Sequence, residues 1–184
     1  GAIYNDQTAT CTGIVYDPDE TLTPVYNWIA DSQITGQFVN LASINAEPGD
    51  ELICIVSVTD SYGSYAEGYN SFIVANRDPV ISDLEITPSP AYANSTLNCT
   101  GVYSDQDSSN IVASYDWSIN GTVVATAQSL DLTPFATTAG DQVSCSLTVT
   151  DSNGGTDSDS RTTTLINGAP TIDDIVFSPT NITK

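Results

Sequence analysis

The chain has no histidine and no methionine, and it sets only 3 Lys and Arg against 23 Asp and Glu, a formal net charge of −20 over 184 residues. Without histidine there is no Ser-His-Asp or Cys-His catalysis and no His-ligated zinc or haem. Three cations cannot neutralise a run of phosphates, so nucleic acid is excluded as a natural partner. The same charge opposes binding to an anionic membrane surface. No apolar run approaches the roughly 20 residues that a spanning helix needs, so membrane insertion is not expected. Charged residues make up 14% of the chain and hydrophobic ones 40%, so a core can form and the acid excess does not mean disorder. Most of the polarity comes from Ser, Thr, Asn and Asp, which suit strands and turns and are poor in helices. The chain opens on Gly1 with no signal-like segment, and reads as a mature or excised piece of something longer.

An internal repeat is the strongest positive signal. Tyr4, Thr8, Cys11, Thr12, Gly13 and Asp17 match Tyr92, Thr96, Cys99, Thr100, Gly101 and Asp105 at a displacement of 88 residues. Trp28 matches Trp117, and Gly49, Asp50, Cys54, Val58, Thr59, Asp60, Ser61 and Gly63 match Gly140, Asp141, Cys145, Val149, Thr150, Asp151, Ser152 and Gly154. An Asn-x-x-Pro junction recurs as well, at Asn76 to Pro79 and at Asn167 to Pro170. Each unit opens after its junction with a strand such as Val80 to Pro88. Copy one lacks that strand, and Thr171 to Lys184 repeat it with no unit behind. Two readings stand. The chain is a window from a longer array, or its terminal strand completes the open first unit of a neighbouring molecule. The expected domains are 1–77 and 78–168, with 169–184 as the first strand of a next repeat or a donor strand.

Period-2 alternation is clear around the second cysteine of each copy. Leu52, Cys54, Val56 and Val58 share one face, as do Val143, Cys145, Leu147 and Val149. Tyr115, Trp117 and Ile119 alternate before Asn120-Gly121, a strong short-range hairpin signal. Strands at this spacing without helical periodicity indicate β-sandwiches, and Trp28 and Trp117 are expected in their cores. Four cysteines allow three connectivities. Cys11–Cys54 with Cys99–Cys145 is the pairing that respects the repeat and lets each unit fold alone. The C-x-x-C pairs of a zinc ribbon are absent. Disulfides imply an oxidising compartment, hence an extracellular or cell-surface location.

Cys…Trp…Cys, a Gly-Asp turn before the second Cys, and the run V-T-D-S-x-G together resemble the immunoglobulin-like and PKD-like repeats of large bacterial and archaeal surface proteins. The resemblance covers essentially the whole chain. It departs from antibody domains in having Leu52 or Val143, not Tyr, two residues before the second Cys. The fold expected is all-β: two tandem Ig-like β-sandwich domains, each with one intradomain disulfide, plus a C-terminal strand.

Candidate sites follow from the loops. Asp17-x-Asp19 and Asp105-x-Asp107 occupy matching positions and offer hard oxygen ligands for calcium, the one cofactor weighed; Asp60, Asp78, Asp151, Asp157 and Asp159 are near enough in pattern to join. Ordinary turn chemistry explains the same residues. Asn94, Asn98, Asn120 and Asn181 sit in N-x-S/T sequons. Ile53 and Ile55 are apolar on the outward face, where copy two has Ser144 and Ser146, so a subunit or a loop is expected to cover them. Thr171, Ile172, Ile175 and Phe177 are the interface residues of the terminal strand. Tyr62, Tyr65 and Tyr69 cluster in copy one and can stack on sugars or proteins. Carboxylates are the only acid–base groups of note, and they lie in repeated turns, so the chain is not expected to be an enzyme. The function expected is a structural repeat of an extracellular fibre, filament or stalk whose partners are adjacent repeats or copies of itself. An adhesin or carbohydrate-binding module, with surface glycans as partners, and an accessory domain of a secreted hydrolase are the alternatives.

Overall fold

The computed structural model describes residues 1–30, 32–108 and 110–176. Phe177 and Asn181 lie outside the described residues. The fold is all-β. Copy one contributes β1 (Thr8–Thr10), β2 (Val25–Ile29), β3 (Gln33–Thr35), β4 (Phe38–Asn40), β5 (Glu51–Thr59) and β6 (Tyr65–Ile73), with one 3-10 turn at Ala42–Ile44. Copy two and its opening strand contribute β7 (Val80–Thr87), β8 (Thr96–Ser104), β9 (Val112–Ile119), β10 (Thr122–Ala125), β11 (Ser129–Asp131), β12 (Gln142–Thr150) and β13 (Thr156–Thr164).

The sheets repeat as the sequence does. A four-stranded sheet ordered β3-β2-β5-β6 in copy one answers one ordered β10-β9-β12-β13 in copy two. The second sheets differ among the described residues: copy two has three strands, β11-β8-β7, whereas copy one has two, β1-β4. By contacts the chain forms two units. One holds Gly1–Asp83 with Val102–Ala113 and Thr148–Ser158, and the other holds Leu84–Gly101, Ser114–Leu147 and the chain from Asp159. The first unit therefore takes in three stretches that the repeat assigns to copy two, 78–83, 102–113 and 148–158.

Local chemistry accounts for the elements. Asn120 and Gly121 both have positive φ, 49° and 83°, the pair a type I′ turn requires, and they join β9 to β10 with Ile119 opposite Thr122. The Gly-Asp turns close on the last strand of each copy in the same way. Gly49 N–H donates to the Val74 carbonyl (2.9 Å) and Gly140 N–H to that of Leu165 (2.8 Å). Along β12 every second residue is buried, so the alternation read from sequence is a core face.

Both disulfides form, Cys11–Cys54 and Cys99–Cys145, closing loops of 43 and 46 residues. The chain-entropy model assigns each about 4 kcal/mol. Trp117 is fully buried, and its indole N–H donates to the Ala127 carbonyl at 2.9 Å. Trp28 is buried too and meets Phe72 edge-on at 6.2 Å, while its indole N–H finds no partner among the described residues. The core of copy one gathers Trp28, Val39, Leu41, Leu52, Cys54 and Val74 around that ring.

Candidate functional site

Two places in the first unit bring predicted residues together. One is the junction. Each copy carries the same pair of turns there. Asp17 accepts from the backbone N–H groups of Asp19 and Glu20, and Asp105 from those of Asp107 and Ser108. Asp60 accepts from Tyr62 and Ser64, and Asp151 from Asn153 and Gly155. These are turn carboxylates holding their own loops.

What surrounds them differs. At Asp105 and Asp151 the Asn-x-x-Pro junction enters. Asn76 donates its side-chain N–H to Asp151 at 2.8 Å. Arg77 pairs with Asp107, whose side chain is wholly buried, and with the exposed Asp6 at 2.7 Å, while its guanidinium stacks over the Tyr4 ring at 4.0 Å. Gly155 permits the approach: a Cβ there would lie 2.5 Å from Asp151, 2.6 Å from Asp78 and 2.8 Å from Asn76. Asp157 accepts from the Ile81 N–H at 2.8 Å, and Asp159 bonds its neighbour Ser160.

In copy one the equivalent residues form an acidic triad instead. The carboxylates of Asp17, Glu20 and Asp60 lie within 4.8 Å of one another, and Glu20 accepts from Ser61 N–H. The triad has the oxygen chemistry a hard divalent cation takes. The structure thus gathers Asp17 with Glu20 rather than with Asp19, and commits Asp107 to Arg77. Spacing within D-x-D could not reveal either partner. Glu20 is matched by Ser108 in copy two, and Arg77 by Gly168 in the second junction, so the repeat pattern passes over both.

Electrostatics follow these contacts. Burial pushes the Asp151 carboxyl up, but hydrogen bonds from Asn76 and the backbone of Gly155 and Asn153 leave it below the ordinary value. Hydrogen bonds from Ser64 lower Asp60, the Arg77 guanidinium lowers Asp6, and the Asn120 side chain lowers Asp141.

The second place is a groove of about 480 Å³ on copy one. Cys11 to Tyr16 form one wall, Val56 and Val58 of β5 the floor, and Ala66 to Asn70 of β6 the other wall. Ile14 and Tyr16 stand 103% and 85% exposed.

The remaining predicted residues are placed individually. Ile53 and Ile55 are half-buried on the outer face, and Ile55 stands opposite Tyr69 across β5 and β6. Tyr62, Tyr65 and Tyr69 are exposed, with Tyr65 donating to Glu67. Asn94 and Asn98 are exposed, and Asn98 accepts from Ser129. The Asn120 amide nitrogen, the atom a glycan would take, donates to Asp141. Thr171, Ile172 and Ile175 are exposed.

No family model and no curated protein matches the chain. Among solved structures it is similar to an amphioxus IgVJ-C2 molecule, at 14% identity and a TM-score of 0.47 over 91% of this chain and all of that one. It is also similar to part of a 1.5-MDa bacterial ice-binding adhesin, at 18% identity and a TM-score of 0.36 over 86% of this chain and 56% of that one. Both are likenesses at low identity, and what those proteins do stays with them.

Proposed function

We propose that the chain is a structural segment of an extracellular fibre, filament or surface stalk, acting by extension and self-association. The observation that carries this reading is the junction. Asn76 and Arg77 bond to Asp151 and Asp107 within the first unit, which supports an ordered junction segment. The two disulfides fit an oxidising compartment. The resemblance of its motifs to immunoglobulin-like and PKD-like surface repeats implies the same role. The purified chain is expected to be inert on glycan panels and to form elongated particles under the electron microscope. Compact particles that bind a sugar saturably would replace this reading.

A second reading, an adhesive or carbohydrate-binding module, is favoured by the exposure of Tyr62, Tyr65 and Tyr69 at 89%, 61% and 80%. Its mark is saturable binding lost in Tyr65→Ala or Tyr69→Ala. In either role calcium is the ion proposed for Asp17, Glu20 and Asp60. Added calcium should raise the melting midpoint of the chain and leave that of Glu20→Gln/Asp60→Asn unmoved; equal midpoints with calcium and with chelator discard the idea.

A further inference from the structure

We infer that the outer face of the sheet β3-β2-β5-β6 in copy one is a contact surface, and that its occupant is the same face of a second copy of this chain. The inference rests on the self-association proposed above and names its site.

Cross-strand register sets the face. Ile29 of β2 pairs with Ile53 of β5, and Ile53 with Ser71 of β6; the next row runs Asn27, Ile55 and Tyr69. Gln33 and Thr35 of β3 extend these two rows. Paired residues point to one side of a sheet, and this side is opposite to the one that buries Trp28, Leu52 and Cys54. Val25 beside Ser57 and Ile73 beside Glu51 continue the face toward its two ends. Ile53 and Ile55 are half-buried, while Val25, Ile73 and Tyr69 are 50%, 64% and 80% exposed.

Copy two supplies an internal control. Its sheet β10-β9-β12-β13 answers the same strand order. Val25, Ile29, Ile53, Ile55, Tyr69 and Ile73 are matched there by Ser114, Ser118, Ser144, Ser146, Ser160 and Thr164. Each apolar side chain of copy one is thus a hydroxyl in copy two. The inward positions between them do not change character: Trp28, Leu52 and Cys54 answer Trp117, Val143 and Cys145. The fold therefore does not need isoleucine on the outer side. Apolar side chains there stabilise only if something removes them from water.

The chemistry of the face selects the occupant. Its two central rows carry no charge, and among the described residues its acids are Glu51 and Glu67, toward opposite ends. Copies of a chain at −20 repel wherever acids meet, so they approach through an uncharged surface. A face that meets its own image meets a neutral, apolar one. A sugar fits less well. Sugars stack on rings, whereas this face is mostly aliphatic, and the Asn27 side-chain oxygen already accepts from the Thr35 hydroxyl at 3.4 Å. β-Branched side chains of two facing sheets interdigitate at a separation of about 10 Å. Strand spacing gives roughly 500 Å² of face per copy, short of the roughly 800 Å² per partner of a standard interface. The dimer is therefore weak, and it gains strength where several copies stand along one fibre.

The experiment compares the full chain with Ile53→Ser/Ile55→Ser, which installs the residues that copy two carries at the matched positions. In about 0.15 M salt, sedimentation equilibrium should show the wild type passing from monomer toward dimer between about 10 μM and about 1 mM. The variant should dimerise roughly 10- to 100-fold more weakly, at an unchanged melting midpoint. Tyr69→Ser truncates a ring that is 80% exposed, so it leaves the core intact and should weaken the dimer in the same sense even if the double variant melts early. A wild type that stays monomeric at about 1 mM overturns the inference. So does a dimer that both variants leave intact. A monomeric wild type that binds a neutral sugar saturably, and loses it in Tyr69→Ser, gives the face to a glycan instead. Elongated particles from a monomeric wild type would retain the structural-segment reading and reject this contact. A compact chain that dimerises through this face and binds a sugar elsewhere would do the reverse.

Discussion

Arg77 joins three partners at once. It faces a wholly buried Asp107, an exposed Asp6 and the ring of Tyr4. Removing one partner of a buried pair leaves an uncompensated charge, which costs more than the pair contributes, whereas an exposed pair contributes little. Arg77→Ala is therefore expected to lower the denaturant midpoint clearly and Asp6→Ala hardly at all. The double variant Arg77→Ala/Asp107→Ala should recover part of the loss, because the orphaned carboxylate goes with it. A double variant no better than Arg77→Ala would show that Asp107 is not the residue that suffers. Acid titration probes the neighbouring carboxylates. Asp60, Asp151, Asp141 and Asp6 all sit below their ordinary values when folded. A lowered folded pKa means that the unfolded chain binds the proton first, so these groups stabilise the fold above the ordinary aspartate value of about 3.9. That stability is lost as pH falls through the lowered folded values. Thermal midpoints should thus drop steeply below about pH 4, and Asp60→Asn/Asp151→Asn should flatten that drop.

At the scale of elements, the two inner faces offer a paired comparison. Leu147 on β12 is 0% exposed, and Leu147→Ala should cost about 2–5 kcal/mol by denaturant unfolding. Val56 holds the same place on β5 but lies half-buried in the groove, so Val56→Ala in the monomeric chain should cost roughly 1 kcal/mol or less. Equal costs would mean that the trough is closed in solution. This contrast also marks how far the sequence could be read. Cysteine pairing, the Asn120-Gly121 hairpin and the alternation on β5 and β12 were legible because each depends on residues a fixed spacing apart in one strand or turn. The shortening of β1 was not, because Thr8 to Asp17 carry the same pattern as Thr96 to Asp105. Whether that pattern becomes strand depends on a neighbouring strand, which local periodicity does not encode. The candidate site was half legible for a similar reason. Turn aspartates announce themselves, but Glu20 and Arg77 gain their roles from loops 41 and 30 residues away.

Over the whole molecule the governing quantity is the charge of −20. Like charges at this density repel within the folded state, and dissolved salt screens them over a Debye length of about 10 Å at 0.1 M. Unfolding spreads the same charges apart, so screening relieves the folded chain more than the unfolded one. The melting midpoint should rise between low ionic strength and roughly 0.5 M sodium chloride, beyond the Debye range of most surface pairs. Arg77 opposes this trend locally, because its pairing with Asp6 weakens in salt; Arg77→Ala should therefore show the steeper rise of the two. Association obeys the same sign more strongly. Copies of a chain with 23 acids against 3 cations bring two negative surfaces together when they associate. Sedimentation should accordingly show larger oligomers at high salt than at low salt. Oligomers that dissolve as salt is added would mean that ion pairs hold the copies together, and a chain with three cations has few to offer.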